Sequence, residues 1–365
     1  MFLLLTLQIL ALEQAPKQIV AKNYCVSSLF AEPDTGCISW NRHETAGPLL
    51  DEKRQVLYIG GSDGYLHIVS PISGKVLKRI ALPGSLLTTP TLLEDILLVG
   101  TNQGSVIKFD IDTWNPVWQQ KLGSELTNPI VTNGNKAYVV SGVGTLHALD
   151  LETGELLWEK RHTANTLGLS MKSNPLIAGD KLVLGSDSGK LEFLDLASGA
   201  ALFSLNLGDT KKPYPGIVAD PVAIGSNQIA VASFNQGVFA LDATTGAIRW
   251  SVPHLPNITR LALSDKSLIA AGPRYVYAID LASQKILWKF DFKKGSPNRL
   301  IVKNGAVYLG SDSAALYVLN AASGRPLSNL GSGLGFAADF DFSSDATLFA
   351  VSTAGYLYKY GRKKT

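Results

Sequence analysis

The sequence predicts an all-β fold, an eight-bladed β-propeller built from four-stranded antiparallel blades. Two observations support this prediction: a unit of roughly forty residues recurs along the chain, and each unit contains four short apolar runs. The unit from 129 to 158 shows the pattern, with runs at 129–131, 136–141, 145–149 and 156–158. Because a ring of repeats closes into one domain, we expect a single domain despite the length of 365 residues.

The number of blades follows from the residue that ends the third run of each unit. This residue is usually Asp or Asn, and a Gly follows it four positions later in most units. Asp and Asn stabilise such turns with their own side chains, and Gly supplies the positive φ of a tight hairpin. The eight copies of this position are Ser70, Asp110, Asp150, Asp195, Asp242, Asp280, Asn320 and Gly361.

Aromatic residues are expected to close the fourth strand of most units and to pack between neighbouring blades. They are Trp118, Trp158, Phe203, Trp250 and Trp288. The C-terminal unit stops after its third run, whereas residues 35–40, ending in Trp40, match residues 153–158 in spacing. The sequence therefore predicts that an N-terminal strand completes the last blade and leaves no open edge between the chain ends.

Composition argues against disorder and against a nucleic-acid-binding surface. The chain is 46% hydrophobic and 17% charged, and its formal net charge is +3, whereas a typical globular domain is about 25% charged. The basic residues of the tail at 362–365 are interpreted as a solvated end of the chain. The five histidines are scattered without metal-ligand spacing, so we expect no metal and no cofactor.

The N-terminal region is interpreted as an export signal at 1–15 and an arm at 16–34, followed by the propeller at 35–361. The first twelve residues have the length of a signal-peptide apolar core, although no Lys or Arg precedes them. Cys25 and Cys37 are the only cysteines, and beside an export signal they are interpreted as a disulfide. Two reduced thiols are the alternative.

Two connections between units are longer than the rest, at 159–174 and 204–220. Loops on a rigid scaffold commonly carry function, so these connections are the candidate partner surface. The first contains Leu167, Leu169 and Met171 beside Lys172, and apolar anchors next to a charge are typical of a protein interface. The alternative is that these apolar residues pack beneath their own loop.

The blade motifs resemble the quinoprotein-like propeller repeats and, more narrowly, the BamB family of the bacterial outer-membrane β-barrel assembly machinery. The likeness is colinear over about residues 35–361, and the segment from Leu169 to Pro175 is similar to the family's Leu-x-Leu-Arg loop before a Ser-x-Pro strand start. The resemblance implies that Leu169, Met171 and Lys172 dock on the central barrel-inserting subunit. Asp220 stands near the place where the family has an acidic pair, so the resemblance implies that Asp220 is also a partner-binding residue. The family's lipid-bearing cysteine is absent from its expected place.

The resemblance therefore implies a noncatalytic, monomeric scaffold in the periplasm, at the inner face of the outer membrane and associated with the membrane through its partners. Its expected partners are proteins, namely the central assembly subunit and, as a further option, unfolded client strands that add to an exposed strand edge. One alternative is a quinoprotein-like dehydrogenase, but the chain lacks the adjacent cysteines of those enzymes. Another is a sensor that binds a ligand in the central channel.

Overall fold

The structure, a computed structural model, describes residues 24–28, 46–126, 128–142, 144–161, 173–255, 257–293, 295–312, 316–330, 337–353 and 355–361. For residues 24–28, 337 and 338 it describes the backbone alone. All elements assigned in these ranges are β-strands. No helix with the length and apolar content of a membrane span occurs in the described ranges.

The first four blades each consist of four consecutive strands. Blade 1 contains β2 (Pro48–Asp51), β3 (Val56–Gly60), β4 (Tyr65–Val69) and β5 (Val76–Ala81). Blade 2 contains β6 (Thr91–Leu93), β7 (Ile96–Gly100), β8 (Ser105–Asp110) and β9 (Pro116–Lys121). Blade 3 contains β10 (Val131–Asn133), β11 (Lys136–Ser141), β12 (Thr145–Asp150) and β13 (Leu156–Arg161). Blade 4 contains β14 (Leu176–Ala178), β15 (Lys181–Gly185), β16 (Lys190–Asp195) and β17 (Ala201–Asn206).

The remaining blades follow the same plan until the last. Blade 5 contains β18 (Val222–Ile224), β19 (Gln228–Ser233), β20 (Gly237–Asp242) and β21 (Ile248–Pro253). Blade 6 contains β22 (Arg260–Leu263), β23 (Ser267–Ala271), β24 (Tyr275–Asp280) and β25 (Ile286–Asp291). Blade 7 contains β26 (Pro297–Lys303), β27 (Ala306–Ser311), β28 (Leu316–Asn320) and β29 (Pro326–Leu330). Blade 8 contains β30 (Ala337–Phe342), β31 (Leu348–Ser352), β32 (Tyr356–Tyr360) and β1 (Tyr24–Ser28).

The eight antiparallel sheets confirm the predicted eight-bladed propeller. First strands of neighbouring blades contact one another, as β22 does with β26 and β30 with β2, so they form the inside of the ring. Second and third strands are almost fully buried, whereas fourth strands alternate between exposed and half-buried residues and form the rim. We call the face where first strands start and fourth strands end the upper face, and the opposite face the lower face.

Blade 8 is closed by an N-terminal strand, as the sequence predicts, but the residues differ from those expected. β1 pairs antiparallel with β32, placing Tyr24 opposite Lys359 and Cys25 opposite Tyr358. The strand that pairs with β32 is therefore Tyr24–Ser28, and the predicted segment at 35–40 lies outside the described residues. Residues 29–45, including Trp40 and Cys37, lie outside the described residues.

The turn between third and fourth strands has the predicted Asp and Gly chemistry. In blade 3, Asp150 Oδ1 accepts hydrogen bonds from the backbone N–H groups of Glu152 and Thr153, both at 2.9 Å. Gly154 has φ of +77°, a conformation that favours glycine. Other blades repeat the arrangement around Asp195, Asp242 and Asn320.

The fourth-strand aromatics pack between blades, as expected, but they lie in mid-strand and do not close the strand. Trp118 is the third residue of β9, and its Nε1 donates a hydrogen bond to Leu151 O of the next blade at 3.1 Å. A Cβ added to Gly154 would lie 2.6 Å from Trp118 Cδ2, so the indole rests directly on this glycine. Trp288 repeats the contact, with Nε1 donating to Ala321 O at 2.9 Å. Trp118 and Trp288 therefore each connect their own blade to the following blade through a hydrogen bond and a packing contact.

The hydrophobic core is divided among the blade junctions. Between blades 1 and 2, for example, the fully buried Tyr58 and Leu66 pack with Leu86 and Leu97. A buried side chain of this size stabilises the fold by roughly 1.5–3 kcal/mol relative to an exposed one. The scaffold therefore holds its connecting loops on a tightly packed ring.

Candidate partner-binding site

The described ends of both long connections lie on the upper face, because each connection joins the end of a fourth strand to the start of the next first strand. The first runs from β13 to β14 and the second from β17 to β18. Residues 162–172 lie outside the described residues, so Leu167, Leu169, Met171 and Lys172 do as well. The described part of the site consists of the end of the first connection and the whole of the second.

The end of the first connection is fixed to blade 4. Ser173 is buried, and its Oγ accepts a hydrogen bond from Gly185 N at 3.0 Å. Asn174 follows, and Asn128 Nδ2 of the preceding blade donates to Asn174 Oδ1 at 2.7 Å. The segment that carries Leu169, Met171 and Lys172 in sequence is thus anchored immediately after Lys172.

Asp220 lies at this same anchor. Its Oδ1 accepts a hydrogen bond from Asn174 N at 2.6 Å, and its Oδ2 accepts one from Asn174 Nδ2 at 2.8 Å. The two residues are 46 positions apart in the chain, so Asp220 joins the ends of the two long connections. Both carboxylate oxygens of Asp220 are therefore bonded within the protein.

The second connection is ordered and partly exposed. Asn235 holds it from blade 5, because its Nδ2 donates to Asp209 O at 3.0 Å and to Pro213 O at 3.2 Å. Tyr214 is 62% exposed and packs edge-on against Phe234 with ring centroids 6.1 Å apart. An exposed aromatic side chain therefore projects from a loop that blade 5 holds in place.

Asp220 and Asn174 belong to a larger set that we call the inner polar belt, one residue from each blade near the start of its first strand. The belt consists of Gly47, Thr89, Asn128, Asn174, Asp220, Arg260, Arg299 and Asp339. Most of these residues were not singled out from the sequence. The signal that could have revealed part of the belt is a polar residue before proline, as in Thr89-Pro90, Asn128-Pro129, Asn174-Pro175 and Asp220-Pro221.

On the far side of the belt, two arginines and one aspartate interact across neighbouring blades. Arg299 Nε lies 3.0 Å from Asp339 Oδ1, and Thr89 Oγ1 donates to Asp339 Oδ2 at 3.0 Å. Burial raises the pKa of Asp339, and the charge of Arg299 opposes that rise. Burial also lowers the pKa of Arg260, which donates from Nε to Asn298 O at 3.1 Å. The belt therefore contains two bonded groups that link the starts of neighbouring first strands: Asn128, Asn174 and Asp220, and Gly47, Thr89, Asp339 and Arg299.

The structure also brings together a serine, a histidine and a glutamate that sequence reasoning did not group. Ser141 Oγ lies 3.0 Å from His147 Nε2, and His147 Nδ1 lies 3.8 Å from Glu159 Oε2. Ser141 is only 1% exposed, so its hydroxyl is not accessible to a substrate. Burial lowers the pKa of His147. The group is a buried contact between β11, β12 and β13.

In the ranges that the structure describes, no group of three or more His, Cys, Asp or Glu side chains could hold a metal ion.

The predicted disulfide lies outside what the structure describes. Cys25 belongs to β1, of which the backbone alone is described, and Cys37 falls in the undescribed segment 29–45.

A cavity of about 250 Å³ opens on the lower face between blades 8 and 1. It is lined by Leu50, Phe349 and Lys359 among others, so it lies at the ring junction and on the face opposite both long connections.

Comparison with known proteins identifies the family. A family model described as outer membrane protein assembly factor BamB matches residues 29–119 and 62–290, more than half of the chain. The outer membrane protein assembly factor BamB of Shewanella oneidensis is 23% identical over 283 residues, covering 73% of this chain and 69% of that relative. That of Moranella endobia is 24% identical over 261 residues, covering 64% of each.

Solved structures share the fold. The crystal structure of BamB from Moraxella catarrhalis has a TM-score of 0.74 at 17% identity and covers 87% of this chain and 97% of that chain. The quinohemoprotein alcohol dehydrogenase of Comamonas testosteroni has a TM-score of 0.71 at 13% identity, so the propeller is also used by an enzyme. The family match distinguishes between these neighbours, and the chain belongs to the family of outer membrane protein assembly factor BamB.

Proposed function

We propose that the protein is a noncatalytic periplasmic scaffold that assists the assembly of β-barrel proteins into the outer membrane. The single observation that supports this function most is the BamB family match over residues 29–290 of a complete eight-bladed ring. The scaffold binds its partners as a monomer and is held at the inner face of the outer membrane by them. It needs no cofactor for this role.

The proposed docking element is the first long connection on the upper face. Leu169 and Met171 supply apolar anchors, and Lys172 supplies a positive charge. A lysine presents a compact point charge and cannot form the planar, bidentate contact of an arginine. We therefore expect Lys172 to contribute less geometric specificity than an arginine at the same position.

Asp220 supports docking indirectly. Its two bonds to Asn174 fix the backbone two residues after Lys172, at distances of 2.6 and 2.8 Å. Fixing this end lowers the conformational entropy that the loop loses when it binds, which increases affinity without a new contact. Loss of these bonds should weaken partner binding even though Asp220 touches no partner in this proposal.

The test is co-purification with the central barrel-inserting subunit from cell envelopes. Leu169→Asp and Lys172→Glu should each reduce recovery of that subunit, because they remove an apolar anchor and reverse a charge. Leu77→Asp is the matched control, since Leu77 is 59% exposed on β5 of blade 1 and far from the connection in sequence. Equal recovery with all three variants would contradict the proposed docking element.

Because the fold is similar to that of the quinohemoprotein alcohol dehydrogenase, quinone-dependent dehydrogenase activity is the enzymatic alternative that a measurement can test. A quinoprotein would acquire quinone absorbance and reduce a redox dye after addition of quinone and calcium. We expect neither. Dye reduction that depends on added quinone would overturn the noncatalytic assignment directly.

A further inference from the structure

The rim of the propeller consists of strand edges that could pair with another polypeptide. Each fourth strand is the last strand of its sheet, so one side of its backbone has no neighbouring strand among the described residues. Proteins commonly protect such edges with charged side chains, prolines and bulges. The rim of this ring uses all three devices.

Bulges occur at the start of every fourth strand from blade 1 to blade 7. In blade 4, for example, the register between β16 and β17 shifts between Phe193 and Leu194, so Leu202 is the extra residue. Charges and prolines protect the remainder of most strands. β5 contains Lys78 and Arg79, and β21 contains Arg249 and Pro253.

β17 is the exception among the seven fourth strands whose side chains the structure describes. Its sequence is Ala-Leu-Phe-Ser-Leu-Asn, with neither a charged residue nor a proline. Each of the other six contains at least one, and their sequences are VLKRIA, PVWQQK, LLWEKR, IRWSVP, ILWKFD and PLSNL. The edge of blade 4 therefore lacks the side-chain protection found elsewhere on the rim.

The β17 edge packs against its own blade and the next one through Phe203. Phe203 stacks on Phe193 of β16 with ring centroids 4.3 Å apart. A Cβ added to Gly246 of the next blade would lie 2.7 Å from Phe203 Cε2. On the adjacent strand, Lys190 Nζ lies 2.7 Å from Glu192 Oε1, and Asp195 Oδ1 accepts hydrogen bonds from Ser198 in the turn. The charged side chains of β16 therefore have partners within the blade.

The side chains of β17 specify the kind of strand that fits. Phe203 and Leu205 are half buried on one face, whereas Ser204 and Asn206 are exposed on the other. An added strand would continue this pattern if apolar residues alternated with uncharged polar residues, because cross-strand pairs stabilise a sheet face by face. Transmembrane strands of β-barrels have this alternation.

We propose that the free edge of β17 binds an extended segment with alternating apolar and uncharged polar residues, as found in an unfolded transmembrane β-strand. The inference rests on the proposed function for the source of that segment. Backbone hydrogen bonds supply the affinity, and the uncharged edge of blade 4 selects this site over the other edges of the rim. The β17 edge shares no residue with the first long connection, to which the proposed function assigns docking of the assembly subunit.

The test uses the full chain and a fluorescent synthetic peptide of about ten residues that alternates valine with threonine, the length of one transmembrane strand. Binding is measured by fluorescence anisotropy, and amide hydrogen exchange locates the contact. Ser204→Lys and Ser204→Glu place a charge on the exposed side of β17. Ser251→Lys is the matched control, because Ser251 has the corresponding position in β21, which already contains Arg249 and Pro253.

We expect the peptide to slow hydrogen exchange in β17, and both Ser204 variants to weaken binding by about tenfold, equivalent to ~1.4 kcal/mol. Ser251→Lys should bind like the unmodified chain. Absence of binding, or an equal loss with Ser251→Lys, would overturn the proposal. So would concentration-dependent protection of β17 without peptide, since a second copy of the chain would then be its partner. No assembly subunit is present in this assay, so failure of the loop proposal would not alter its result.

Discussion

Replacing Asp220 by alanine tests whether this residue anchors the first long connection. The change removes the two hydrogen bonds to Asn174 and leaves the half-buried amide of Asn174 without its acceptor. Hydrogen bonds to a charged group stabilise by roughly 1.5–3 kcal/mol each when buried. Because both residues are half buried, we take the lower end of that range, ~1.5 kcal/mol for each bond, and expect a total loss of about 3 kcal/mol for the two bonds.

The expected loss converts to a shift in melting temperature through the entropy of unfolding. With about 2.1 cal/mol/K per residue, a 365-residue domain shifts by ~1.3 °C for each kcal/mol. Asp220→Ala should therefore lower Tm by about 3–4 °C. The rate of amide hydrogen exchange at residues 173–176 should rise by a larger factor than the decrease in global unfolding free energy alone would produce.

Two further variants make the result interpretable. Asp265→Ala removes an exposed carboxylate from the turn between β22 and β23 and should leave both readouts unchanged. Asp220→Asn keeps one acceptor oxygen and should fall between the alanine variant and the unmodified chain. If Asp220→Ala and Asp265→Ala gave the same Tm and the same exchange at residues 173–176, the anchoring role would be refuted.

The other expectations concern the ring itself. Gly154→Ala should destabilise the fold by more than the roughly 1–2 kcal/mol that a left-handed conformation costs a residue with a Cβ atom, because the added methyl group would press on Trp118. Gly179→Ala, also at positive φ but in open space, is the control in chemical denaturation. Burial raises the pKa of Tyr360 to about 12, above its ordinary value of 10. The folded protein thus keeps a proton that the unfolded chain releases, and stability should fall between pH 10 and pH 12. Tyr360→Phe should reduce that slope in a denaturation series, and an unchanged slope would contradict this expectation.

The periodic part of the fold could be predicted because it depends on local chemistry. Asp150 and Gly154 define a turn within five consecutive residues, and the same solution recurs in several blades. The sequence predicts that an N-terminal strand closes the ring, but it does not identify the residues that form this strand. Tyr24–Ser28 has no motif in common with the other fourth strands, and its partner β32 lies at the opposite end of the chain.

The site was less predictable because its contacts are nonlocal. The bond between Asn174 and Asp220 spans 46 positions and depends on how two neighbouring blades are set in the ring. The contact between Ser141, His147 and Glu159 likewise requires the register of three strands. The roles of Leu169, Met171 and Lys172 stay predictions, drawn from family resemblance.

The closure of blade 8 constrains when the molecule can finish folding. Tyr24 pairs with Lys359, and the difference 359 − 24 gives a separation of 335 residues. β1 therefore remains unpaired until β32 has been synthesised. Loop closure over such a distance is entropically costly, and contacts of high sequence separation slow folding. During synthesis the ring remains open, and its final seam forms only after β32 has been made.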